Sequence, residues 1–214
     1  MRKLLLIFLT LMLSVNLFGQ TIKIQGGTTY SYLVWPSILN ISFYDKPFLG
    51  CSGLIGLDYC NRNVFNLSSN IGLVQKGGKD KITVVDSQGN AINDIILNAY
   101  LDYLLMNSTI DFKYAIKEKV VPYISFGPRI DFLISYSDAF KGLDAMNELN
   151  KISLGLTIGA GIRYEMLKFQ IGLKGEYFLN FNKIADWPAS TGNLGGSISD
   201  RTMMVNLTVG YKLE

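Results

Sequence analysis

Three pairs of opposite charge recur in this chain at a spacing of two residues: Arg129 with Asp131, Arg163 with Glu165, and Lys174 with Glu176. Paired carboxylates are tools of acid–base chemistry, as in glycoside hydrolysis. Asp58, Asp102, Asp131, Glu165 and Glu176 would be the candidates for it here. The spacing favours another reading. Residues two apart on a strand project from the same face, so each of these three carboxylates has its own cation as a neighbour. Such neutral pairs suit a crowded polar interior, where an isolated charge would be costly. The six residues are therefore read as structural ion pairs in the lumen of a small barrel, with no catalytic residue among them.

The chain has no histidine. That removes Ser-His-Asp and Cys-His catalysis, histidine-ligated zinc and histidine pH switching. The glycine pairs Gly26-Gly27, Gly77-Gly78 and Gly195-Gly196 lack phosphate-loop or dinucleotide spacing. No cofactor, no metal and no enzymatic activity are expected.

The elements that would place these side chains alternate with period two. Near the C-terminus, Met203, Val205, Leu207, Val209 and Tyr211 form one face and Met204, Asn206, Thr208 and Gly210 the other. Ile152–Tyr164 and Phe169–Phe181 repeat the pattern, with Phe178 as an exception on the polar face. So do 21–32, 51–59, 64–76 and 120–136, where Leu133 interrupts the polar face. Between 99 and 114 the phase is expected to slip, with Leu101, Tyr103 and Leu105 apolar before Ile110, Phe112 and Tyr114. A bulge would do this. Upstream, Ile92, Ile95, Ile96, Ala99 and Tyr103 also fit a helix.

Eight strands result, joined by gaps that run long, short, long, short, long, short, long. That is the layout of an eight-stranded antiparallel up-and-down transmembrane β-barrel. The long gaps include 77–98 and 183–200, read as external loops. Trp35, Asp86, Asp94, Asp138, Trp187 and Arg201 are the loop residues placed to meet a partner. Aromatic residues near strand ends, among them Tyr59, Phe65, Tyr114, Tyr164 and Tyr211, are expected to form interfacial girdles.

Alternation alone allows a soluble, ligand-carrying barrel with the faces reversed. The minority face, however, is rich in glycine and small polar residues and carries few charges. This suits a narrow lumen better than a solvated surface. At the N-terminus, Arg2 and Lys3 precede the uncharged run Leu4–Phe18. Residues 1–20 read as a signal peptide, leaving 21–214 as one barrel domain. The net charge is +3 over 214 residues, with no basic excess of the kind nucleic acid would need. Cys51 and Cys60 lie nine residues apart on one strand. At about 30 Å they are too far apart for a disulfide.

Four stretches carry a family resemblance: Gly26-Gly27, Gln75-Lys76-Gly77-Gly78-Lys79, Tyr100-Leu101-Asp102-Tyr103, and Pro122-Tyr123-Ile124-Ser125-Phe126-Gly127-Pro128. In this order they resemble the PorT-type outer-membrane β-barrel family, over nearly the whole mature chain. The resemblance implies an integral protein of the bacterial outer membrane, surrounded by lipid and seated by the barrel-insertion machinery. The expected role is structural or a surface interaction through the external loops. A narrow pore is the alternative.

Overall fold

The computed structural model describes residues 20–35, 43–88, 90–114, 119–187 and 195–213. The proposed signal peptide falls almost entirely outside them. The described residues form nine antiparallel strands: β1 (Thr21–Val34), β2 (Lys46–Asn61), β3 (Phe65–Val85), β4 (Ala91–Lys113), β5 (Val120–Tyr136), β6 (Ile152–Glu165), β7 (Phe169–Asn180), the short β8 (Ala185–Trp187) and β9 (Gly196–Lys212). A 3₁₀ turn (Asp138–Phe140) and a one-turn helix, α1 (Lys141–Ala145), lie between β5 and β6. Neighbours in sequence pair in order, except that β9 pairs β7, and β1 pairs β9 to close the ring. β8 adds only to the end of β9. The barrel wall is therefore eight-stranded and up-and-down.

The register fixes the wall's dimensions. A path across hydrogen-bonded partners runs Thr21, Asp58, Ser68, then Thr109. The β4–β5 register, set by Asn107↔Arg129 and Ile110↔Phe126, carries it from Thr109 to Gly127, and it continues through Thr157, Phe178 and Thr202. It re-enters β1 at Ser31, ten residues above its start (31 − 21). Eight strands with this stagger tilt about 40° and enclose a backbone cylinder of about 8 Å radius. Side chains alone fill a space of that width.

Inward and outward residues alternate without interruption along β1, β7 and β9. Outward side chains are apolar: Ile22, Ile24, Ile55, Leu73, Ile124, Ile158, Leu173, Leu207 and Val209 are all exposed. Inward ones are largely polar, including buried Lys23, Gln25, Asn70, Thr157 and Asn206. The arrangement inverts that of a water-soluble barrel. Cys51 and Cys60 are both on β2 and unbridged.

Two expectations are corrected. Residues 77–98 are not an external loop. β3 and β4 stay paired from Phe65↔Phe112 up to Val85↔Ala91 and form a hairpin that projects past the rest of the wall. The helical reading of 92–103 fails because the apolar run belongs to this two-stranded ribbon. Nor does the phase slip between 99 and 114. Every odd residue from Ala99 to Asp111 faces inward. What changes is the lumen, which is apolar at Leu101, Tyr103 and Leu105 and polar from Asn107 to Asp111. The register irregularity lies instead across β4–β5, where Ile134 is the extra residue between Asp102↔Ser135 and Tyr103↔Leu133.

The close wall leaves some positions no room for a side chain. A Cβ on Gly27 would lie 1.9 Å from the Val205 carbonyl oxygen and 2.5 Å from Asn206 Oδ1. Gly27→Val should destabilise the folded barrel by at least about 1–3 kcal/mol. Urea unfolding followed by tryptophan fluorescence should show a lower midpoint.

Candidate functional site

The interior is stacked in layers, described from the end where Thr21 pairs Lys212. The first layer is polar. Lys23 Nζ donates to Asp58 Oδ1 at 2.7 Å and to Ser68 Oγ at 2.6 Å. Gln25 donates to Asn70 and Asn70 to Asn107, so that three amides cross from β1 to β4. Lys174 Nζ lies 2.9 Å from Glu176 Oε1, both nearly fully buried. Arg163 Nε lies 2.9 Å from Glu165 Oε1, which shares its carboxylate with Lys212. The remaining space between Lys23, Asp58, Arg163 and Lys174 is a cavity of about 10 Å³, the size of one water molecule.

Above this lies an apolar layer of Leu54, Val74, Leu105, Phe178 and Met204. Phe178, the exception to alternation in β7, is thus an inward plug. Next comes a cluster of four charges. Lys76 Nζ is 2.7 Å from Asp131 and 3.8 Å from Asp200, and Arg129 Nη1 is 3.3 Å from Asp131. Asn180 ties the two sides together, accepting from Arg129 and donating to Asp200 at 2.9 Å. Lys76 also sits over the rings of Tyr103 (4.8 Å) and Phe178 (5.1 Å). The cluster sums to zero charge.

An apolar cap closes the opposite end. Leu33, Ala99, Leu101 and Ile198 from the wall meet Phe140, Leu149, Ile184 and Ala185 from the connections. Leu133, the interruption in β5, packs against this cap. Trp35 stacks on Phe140 and Trp187 packs beside it. Both tryptophans, expected as partner-contact residues, therefore build the cap.

The other loop candidates are also engaged. Asp86 accepts from the amides of Gln88 and Asn90 in the hairpin turn. Asp138 pairs Lys141. Arg201, on β9 rather than in a loop, donates to the Tyr32 hydroxyl at 3.3 Å. Asp94, on β4, is 2.6 Å from Lys81 and accepts from Thr83. The Lys81 hydrogen bond, then that of Thr83, holds the Asp94 carboxyl below its ordinary range.

Arg129 and Asp131 thus belong to the upper cluster, and the other two pairs to the lower layer. The carboxylates Asp58, Asp131, Glu165 and Glu176 each face a cation within 4 Å. Asp102 points outward, at the edge of the apolar band, and accepts from Gln75. This is an arrangement for mutual neutralisation rather than for a reacting carboxylate pair. Sequence spacing missed Lys76, Asp200 and Lys23, whose partners lie across the lumen. The only available signal was parity, since Lys76 and Lys23 share a face with the small polar residues of their strands. Among the described residues no cluster of three metal-ligating side chains occurs.

An eight-stranded ring with a filled lumen and an apolar exterior is the architecture of the small outer-membrane barrels. No family model and no curated protein sequence matches the chain. Solved structures do. OprG, an outer membrane protein of Pseudomonas aeruginosa, aligns over 92% of this chain and 96% of its own, at 13% identity and a TM-score of 0.53. Ail, the attachment invasion locus protein of Yersinia pestis, crystallised with the heparin analogue sucrose octasulfate, aligns over 91% and 99% at 16% identity, with a TM-score of 0.47. The outer membrane protease OmpT of Escherichia coli aligns over 94% and 98% at 8% identity, with a TM-score of 0.41. The likeness to OprG shows the fold, an eight-stranded outer-membrane-type barrel.

Two outcomes are expected. Lys76→Ala strands Asp131 and Asp200 beside a single Arg129 and should cost about 3–5 kcal/mol. Lys76→Met combined with Asp131→Leu should recover much of that loss, as measured by urea unfolding in vesicles. At the hairpin, a depressed Asp94 pKa stabilises the folded ribbon above the unfolded carboxylate's pKa. The contribution is lost as pH falls through the folded value. Hydrogen-exchange protection of residues 79–98, corrected for intrinsic rates, should hold from pH 7 to pH 5 and decline below about pH 4.

Proposed function

We infer that the chain is an integral protein of a bacterial outer membrane with a non-enzymatic role, acting through its loop end. One observation carries this reading: a largely apolar exterior around an interior whose buried carboxylates each face a cation. In water such a band would far exceed the apolar patches that soluble monomers expose. In lipid it is the expected outer surface, and ring closure leaves no backbone edge unpaired within it. Outer-membrane lipid is then its immediate partner, and the barrel-insertion machinery its partner in assembly. A signal peptide over residues 1–20 supplies the export this location needs. The PorT-type resemblance agrees with this reading and rests on the four sequence stretches quoted above.

The loop end is the surface left for interaction. It holds the apolar cap, α1 and the projecting hairpin, while the lower end is closed by short turns. The stacked apolar layer, neutral charge cluster and cap support a plugged barrel rather than a pore. The larger concavity, about 770 Å³, lies outside the wall among Ile22, Ile71, Met106 and Leu154, not in the lumen.

Electrophoresis of the isolated outer-membrane fraction, with and without boiling, tests the membrane reading. A band whose mobility changes on boiling is expected. Recovery of the chain as a soluble periplasmic protein would overturn it. In planar bilayers the purified barrel should give no conductance steps above background, and reproducible steps would restore the pore.

A further inference from the structure

Among the described residues, the hairpin of β3 and β4 leaves two strand edges without a neighbour. β2 last pairs β3 at Lys46↔Lys79, and β5 last pairs β4 at Leu101↔Tyr136. Ser137 ends the second ladder: its amide donates to the Tyr100 carbonyl, and its hydroxyl accepts from the Tyr100 amide. From Asn98 upward the outer edge of β4 is open. Such edges invite pairing and are usually blunted by charge. β3 is blunted in this way, carrying Lys79, Asp80 and Lys81 in succession. β4 is not. Its open edge reads Ile92-Asn93-Asp94-Ile95-Ile96-Leu97-Asn98, with Ile96 63% exposed. Its one charge, Asp94, is already neutralised by Lys81.

This edge complements itself. In an antiparallel pair related by a two-fold axis at Ile96, Ile96 meets its own copy, Ile95 meets Leu97, and Asp94 meets the amide of Asn98. Each pair lies on one face of the shared sheet. No like charges oppose one another. The barrel restricts which copies can meet in this way. β4 rises from the wall at about 40°. Two copies in one membrane both point upward, so their β4 edges cross at about 80° at most and cannot run antiparallel. Copies in two facing membranes can run antiparallel, with a two-fold axis in the membrane plane perpendicular to the strand.

We propose that the open β4 edge, Asp94–Asn98, is a homophilic contact that joins this protein to a second copy in an apposed membrane. The inference rests on the membrane reading above. It names the partner of the loop end. A single five-residue ladder is a weak contact, and many copies on each surface give it strength through multivalency.

The full chain, reconstituted into two populations of phosphatidylcholine–phosphatidylglycerol vesicles carrying donor and acceptor dyes, provides the test. Heat-shifted mobility reports insertion, and cleavage of the hairpin by added protease reports its outward orientation. Energy transfer from clustering should exceed that of protein-free vesicles at least tenfold and should rise steeply with protein density. Ile96→Lys sets two cations face to face and should abolish clustering, while Ile96→Val should retain it. Ile96 is exposed, so insertion should be unchanged in both variants. Inserted, outward-facing protein that leaves the vesicles dispersed overturns the proposal, as does clustering that survives Ile96→Lys. Failure to insert or to show a heat shift overturns the membrane reading and this inference together.

Discussion

The pairing of β1 with β9 is the interaction on which the molecule depends. It runs from Thr21↔Lys212 to Val34↔Ser199 without a bulge. Before it forms, the sheet has two long open edges. Once it forms, the wall has no open lateral edge within the apolar band. The outward residues are then free to be uniformly apolar, because no polar main chain accompanies them into a non-aqueous surround. The inward residues are confined to a cylinder whose width is set by strand number and stagger, leaving little choice but to interlock.

Interlocking explains the alternation of layers. A lumen made only of charges would need every group satisfied within a radius of about 8 Å. The apolar layer of Leu54, Val74, Leu105, Phe178 and Met204 divides the polar content into two separate sets. Each then has few partners to arrange. The upper set is bounded by hydrocarbon on both sides, a setting in which ion pairs are stronger and unpaired charges more costly. Asn180, reaching both Arg129 and Asp200, shows how a neutral amide completes the set without disturbing its charge.

Much of this was legible in the sequence, for a definite reason. A strand places alternate residues on opposite faces whatever its neighbours do, so the outward face of β6, β7 and β9 reads directly from period two. The i, i+2 ion pairs lie on one strand and share that property. Contacts across the lumen are different. Lys76 and Asp131 are 55 residues apart, and nothing local relates them. The segment 99–114 misled because the lumen itself changes from apolar to polar along one strand. Constant geometry with changing chemistry imitates a slip in phase. The hairpin resembles a loop in sequence because its exposed isoleucines on both faces blur the alternation that marks a half-buried strand.

The ten-residue stagger and the count of eight also limit how this protein can change. Trimming side chains inside the wall would empty space without moving the wall, since the circumference belongs to the backbone. A descendant with a wide aqueous channel would require the gain of a further strand pair, by duplication of a hairpin, rather than an accumulation of smaller residues. Diversification by point mutation is thereby directed away from the lumen and toward the segments above the apolar band, where length and composition vary without touching the ring.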